Sequence, residues 1–181
     1  MGIISGGGII NPIEFQRAMI FVDGTNLIHR LRAAKLKITR LAPIFRPFVG
    51  GRQVVRTYFY TIAKYVEEAK SSHGPDFFDE IRIVLGEGIP TGDGNIKEKG
   101  VDALLVADLI YHAATKNYDY ALIVSLDTDF TQGAKRVEDF GCRTGVLGVC
   151  GTVPERLQNA CDEVFHIEQN KLIREKWAVS V

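Results

Sequence analysis

Residues 123–130 read IVSLDTDF, and the order of residue types in that stretch sets the fold. Ile123, Val124 and Leu126 are core-type side chains, yet Asp127 and Asp129 follow at once with one residue between them. With Tyr120 to Leu122 in front, the run predicts a strand over 120–126 that leaves the interior directly into two carboxylates. An unbroken apolar run of this length marks a strand buried on both faces, as in a parallel sheet.

The same order, an apolar run and then an aspartate, occurs near the start, where MIFV (19–22) is closed by Asp23 and Gly24. Further strands are predicted at 54–61 (VVRTYFYT), 81–85 (IRIVL), 143–149 and, as an edge strand, 163–167. Helices are predicted at 27–37, with Thr25 or Asn26 as N-cap, and at 64–70, 76–80, 101–115 and 131–140; Pro154 opens a short one at its first position. Residues 86–100, GEGIPTGDGNIKEKG, read as a mobile loop. Strands alternating with helices predict an α/β three-layer sandwich of Rossmann-like type. Its mostly parallel sheet has five to six strands, with helices on both faces. Residues 1–17 read as a flexible leader, 18–167 as one domain and 168–181 as a polar tail, frayed or helical.

The totals narrow the function. The 181 residues carry 22 basic and 22 acidic side chains, so no net field draws the chain to nucleic acid or membrane. No stretch approaches the roughly 18 apolar residues of a membrane span. Three cysteines without a CxxC pair fit free thiols in a reducing, cytoplasmic setting better than a disulfide framework or a zinc site. The charges are unevenly placed. Between Asp23 and Glu67 there is no acid, while Arg30, Arg32, Lys35, Lys37, Arg40, Arg46, Arg52, Arg56 and Lys64 all fall there. That segment reads either as a phosphate-binding surface or as solvated basic faces whose acids come from elsewhere in the fold.

In a parallel sheet, ligands sit outside the carboxyl ends of the strands. Asp23, Asp127 and Asp129 follow two such ends, and Asp102 stands in the first turn of the next helix, where the helix dipole favours a carboxylate. Two like charges ~4 Å apart repel by about 4 kcal/mol at an effective dielectric near ~20. Four acids converging there would need protons or a divalent cation, and all-oxygen donors select Mg²⁺ or Mn²⁺ over zinc. Read singly, each aspartate is equally a helix or turn cap.

FVDGTNL (21–27), KGVDALLVADL (99–109) and VSLDTDF (124–130) resemble, in order and spacing, the three signature blocks of the NYN domain, a branch of the PIN-like nuclease fold. The resemblance implies a metal-dependent ribonuclease acting on RNA, here expected to be single-stranded, with a homodimer admitted. Carried over by position, Asp23, Asp102, Asp127 and Asp129 become metal ligands or water-activating groups. Asp23 and Asp127 are the inner ligands, and Asn26 orients Asp23 through its amide. One departure stands out: Leu126 replaces the glycine usual in the third block, which would narrow the site and set catalysis in question.

Other residues fall around this frame. Ser125 and Thr128 read as plain turn residues or as candidates to hydrogen-bond a phosphate or a metal-ligand carboxylate. Asp108 lies on the apolar stripe of its helix, about 120° around from Asp102, so the two do not share an ion. It is read as bracing the loop of Asp127, or equally as a buried structural hydrogen bond. Arg30, Arg32 and Lys35 on the first helix, and Lys97 and Lys99 before Asp102, are candidate RNA-backbone contacts. Tyr58 and Tyr60 share a strand face and read as core or as base-stacking rings. Two other functions fit parts of the pattern. One is a non-catalytic RNA-binding adaptor. The other is a haloacid-dehalogenase-like phosphatase with Asp127 as nucleophile, from the DxDxT of Asp127, Asp129 and Thr131.

Overall fold

A computed structural model describes residues 16–181, so most of the expected leader lies outside the described residues. In chain order the elements are β1 (Arg17–Asp23), α1 (Gly24–Ala33), β2 (Leu36–Lys37), α2 (Ala42–Phe45), β3 (Gln53–Thr61), α3 (Ala63–His73), β4 (Arg82–Leu85), β5 (Glu87–Pro90) and β6 (Ile96–Lys99). There follow α4 (Val101–Ala114), β7 (Tyr120–Val124), α5 (Thr131–Glu138), β8 (Arg143–Val149), α6 (Glu155–Gln158), β9 (Glu163–Ile167), α7 (Gln169–Arg174) and β10 (Val179–Ser180).

Six strands form one sheet in the order β4-β3-β1-β7-β8-β9, and every neighbouring pair is parallel. The three-layer α/β sandwich is therefore present, with its sheet wholly parallel. Alternation within the central strands explains the two cores. Ala18, Ile20 and Val22 of β1 face a core shared with Leu27, Leu31, Val66 and Phe77, while Met19 and Phe21 face one shared with Leu105, Leu109, Ala134 and Leu157. β1 and β7 are buried along nearly their whole length, which is why their sequences read as continuous apolar runs.

The chain leaves β1 outward through β3 and β4, then returns to lay β7, β8 and β9 on the other side of β1. The order reverses between β1 and β7, so the carboxyl ends of those two strands flank the crevice in which such sheets bind ligands. Asp23 ends β1, and Ser125 to Asp129 follow β7.

Several sequence expectations are corrected. Residues 86–100 contain a β-hairpin, β5 pairing with β6 antiparallel, rather than an unstructured loop. The helix expected over 76–80 is a 3-10 turn, Pro75–Phe78. The first helix begins at Gly24 and stops at Ala33 instead of running to 37, and β2 then pairs with β10. Pro154 is the N-cap of α6 and not its first residue. Of the two forms expected for the segment from 168, the helix is present as α7; β10 follows, and Leu172 and Ala178 are buried in the core beside α1. Among the described residues, no helix is long and apolar enough to cross a membrane.

Candidate active site

Asp23 is 5% exposed. It ends a strand and caps a helix at once: its Oδ1 accepts the main-chain N–H of Asn26 at 3.2 Å. The expected partner is thus present through its backbone amide and not through its side chain. The other carboxylate oxygen accepts the Ser125 hydroxyl at 2.7 Å. Ser125 Oγ in turn accepts the Asp127 N–H at 2.9 Å, and Asp127 Oδ1 accepts the Asp129 N–H at 2.9 Å. One hydroxyl therefore ties the β1 aspartate to the β7 loop, and of the contacts expected of Ser125 it makes the one to a candidate ligand carboxylate.

Electrostatics couple the four acids. Burial pushes the Asp23 carboxyl up from 3.8 to about 6, against the lowering effect of its two hydrogen bonds and with added repulsion from Asp102 and Asp127. Asp102, in the first turn of α4, is also raised, by partial burial and then by Asp127 and Asp129. Capping and clustering are therefore not alternatives: Asp23 and Asp127 do both.

The cluster is not a closed cage. Among the described residues, no three His, Cys, Asp or Glu side chains are disposed to hold one ion together. Asp23 and Asp127 are fixed by capping bonds, whereas Asp102 and Asp129 are solvent-exposed. The donor chemistry, carboxylate oxygens without imidazole or thiolate, still fits a hard divalent cation. Mg²⁺ characteristically takes only one or two carboxylates and keeps several waters.

Leu126 does not stand free in the crevice. It is 9% exposed and belongs to the core beneath α4 and α5. Two glycines make room for it: a Cβ on Gly151 would lie 2.6 Å from Leu126 Cδ1, and one on Gly148 would lie 3.0 Å from Cδ2. With Asn26 and Arg30, Leu126 lines a small cleft of about 10 Å³. Replacing Leu126 with Gly is expected to cost about 3 kcal/mol of stability, as for other large-to-small core changes, with cleavage per folded molecule unchanged. Urea denaturation alongside an activity assay checks both halves.

Asp108 does not reach the Asp127 loop. It accepts the Tyr60 hydroxyl at 2.9 Å, and this half-buried contact ties α4 to β3. Tyr58 and Tyr60 are 7% and 0% exposed, so both are core rings and neither is available to bases. Thr128 contributes its carbonyl to the Thr131 hydroxyl at 2.6 Å, a bond that shapes the turn ahead of α5.

The basic segment divides. Arg32 and Lys64 pair with Glu68, Arg40 with Asp79 and Glu80, Arg46 with Glu80, and Arg52 with Glu163. The acids missing from the local sequence are thus supplied by other elements. Arg30 has no carboxylate partner among the described residues; it lies beside Gly151 and shares a small cleft with Asn26, Ser125 and Leu126. Arg32 is held by Glu68, and Lys35 follows the end of α1 at Ala33, the end remote from Asp23. Lys97 and Lys99 are exposed on one face of β6.

Between those lysines, Glu98 turns inward and accepts the Thr25 hydroxyl at 2.5 Å; Thr25 also meets Thr61 at 3.0 Å. This bond ties the hairpin to the first turn of α1, next to Asp23. The sequence reading gave Glu98 no role, although the period-two order Ile96, Lys97, Glu98, Lys99 carried the signal.

The family model for the NYN domain matches residues 17–168. Among solved structures, the chain is similar to the crystal structure of a Vibrio parahaemolyticus protein of unknown function, with a TM-score of 0.66 and 19% identity, covering 89% of this chain and 98% of that one. At that identity the likeness speaks for the fold. No curated protein matches. The chain belongs to the NYN domain family, whose fold is that of the PIN-like nucleases.

Proposed function

We propose that the protein is a divalent-metal-dependent ribonuclease that hydrolyses phosphodiester bonds of single-stranded RNA at the Asp23, Asp102, Asp127 and Asp129 cluster. The observation that carries the reading is the Ser125 hydroxyl, which joins Asp23 to the Asp127 loop across the switch point of the sheet and gathers repelling carboxylates there. A fold gains no stability by gathering such charges, so their purpose is sought in a ligand.

Asp23 and Asp127 would hold Mg²⁺ or Mn²⁺, with Asp129 reaching it through water. When bound, the ion lowers the pKa of a coordinated water and offsets charge on the phosphoryl oxygens. Asp102, its proton affinity raised by burial and by its neighbours, orients the attacking water and accepts its proton. Ser125 and the Asn26 amide fix the Asp23 carboxylate, so its direction is set before substrate arrives. Arg30 and, from the hairpin, Lys97 and Lys99 guide the RNA backbone.

The test is cleavage of a labelled single-stranded RNA with added Mn²⁺ or Mg²⁺. Cleavage is expected with either ion, with loss on chelation by EDTA and recovery when the ion is restored. RNA that is retained but never cut with either ion would establish instead a non-catalytic RNA-binding adaptor on the same fold.

A further inference from the structure

The Ser125 hydroxyl fixes Asp23 to the β7 loop, and that tie reaches Asp127 and Asp129. Asp102 lies on another segment, in the first turn of α4, and its side chain has no hydrogen bond among the described residues. Whatever holds it opposite the other acids acts through its main chain.

Glu98 is placed to do this. Alternation along β6 turns Ile96 and Glu98 inward and Lys97 and Lys99 outward. Thr25, two residues after Asp23, gives its one hydroxyl proton to Glu98 at 2.5 Å, so from Thr61, 3.0 Å away, it can only accept. Thr61 ends β3 and is fully buried. The series Thr61, Thr25, Glu98 thus joins the end of β3, the start of α1 and the hairpin. Glu98 is half-buried and makes no ion pair among the described residues, so its desolvation has no compensating cation.

From Glu98 to Asp102 the path is short. Lys99 closes β6, Gly100 turns the chain at φ 81°, and α4 begins at Val101. Gly86, at the other foot of the hairpin, packs into this corner: a Cβ there would lie 2.6 Å from Val101 Cγ2 and 2.9 Å from the Lys99 carbonyl oxygen. A shift of β6 is therefore passed to the first turn of α4, where the Leu104 N–H donates to the Gly100 carbonyl at 2.9 Å.

We propose, on the ribonuclease reading, that Glu98 is a positioning residue: by accepting the Thr25 hydroxyl it sets the hairpin against α1 and so holds Asp102 across the crevice from Asp23. Its effect on cleavage passes through Asp102.

The experiment combines single-turnover RNA cleavage with amide hydrogen exchange on the whole chain. E98A and T25V are expected to cut about tenfold more slowly at saturating Mn²⁺, less than the roughly 100-fold that a ~1 Å misplacement can cost. E98Q, whose amide oxygen still accepts the Thr25 hydroxyl, is expected to stay within about twofold of the native rate. On an Asp102→Asn background the E98A effect is expected to shrink below about twofold, since two changes acting through one group do not add. The Leu104 amide is expected to exchange about tenfold faster in E98A and T25V, with the β7 amides unchanged. E98A cutting at the native rate overturns the proposal, as does E98Q as slow as E98A, an unchanged Leu104 exchange, or a loss that persists in full on the Asp102→Asn background. Faster exchange throughout β7 would show a merely structural role and overturn it as well. A native chain that cuts no RNA defeats the ribonuclease reading together with this one, whereas the other adverse results defeat this one alone.

Discussion

Asp127→Asn is expected to lower single-turnover RNA cleavage by about 10²- to 10³-fold at saturating Mn²⁺, the range found when one preorganised electrostatic contact to a transition state is removed. The substitution separates charge from shape. Asp127 Oδ1 caps the turn by accepting the Asp129 N–H, and an asparagine carbonyl keeps that bond. The Ser125 bridge involves the Asp127 main chain, which is unchanged. RNA retention and thermal stability are therefore expected to stay close to those of the native chain. A variant cutting within a few-fold of the native rate would remove Asp127 from the reaction. If the variant also lost RNA binding, its role would be in holding substrate.

Asp23→Asn should produce the other large effect, a protein that is inactive yet more stable at pH 8. The Asp23 carboxyl is raised from 3.8 to about 6, so the native state holds its proton more tightly than the unfolded chain does. Between those values folding binds a proton, and stability falls as pH rises through about 6. The favourable contribution of the protonated form is complete below 3.8 and gone well above about 6. At about 1.4 kcal/mol per pKa unit, the ionised group costs about 3 kcal/mol at pH 8. Asparagine still caps α1 and carries no charge to desolvate. Urea denaturation from pH 5 to 8 should show the native midpoint falling and the variant's staying flat. Mn²⁺ should restore the native midpoint at pH 8 and leave the variant unmoved. A variant less stable than the native chain at pH 8 would show that the Ser125 and Asn26 bonds to the carboxylate outweigh the cost of burying its charge.

What could be read in the sequence follows from the range of the interactions involved. β1 and β7 were legible because burial on both faces makes a run of apolar residues, and Asp23 and Asp127 because they end those runs. The β5–β6 hairpin was hidden: its strands have four residues each, are largely exposed, and enclose a Gly-rich turn. Nothing within its own segment shows that Glu98 reaches Thr25. The fate of the basic segment was equally out of view, since Glu68, Asp79, Glu80 and Glu163 lie outside it and only the fold delivers them. Asp108 was placed correctly on an inward stripe, but its partner, Tyr60, lies on another strand and no local pattern could name it. Leu126 gave an alarm because the two glycines that receive it come 22 and more positions later.

The strand order also has a consequence for synthesis. Ser125 and the aspartate it holds are 102 positions apart. At about 5–20 residues per second, a ribosome exposes Asp23 roughly 5–20 s before its partner emerges. Until then β1 has a neighbour on one edge only, and a fragment terminated ahead of β7 carries Arg30 and the hairpin lysines but no paired acids. The aspartate cluster is thus assembled only after β7 and the loop behind it have been made.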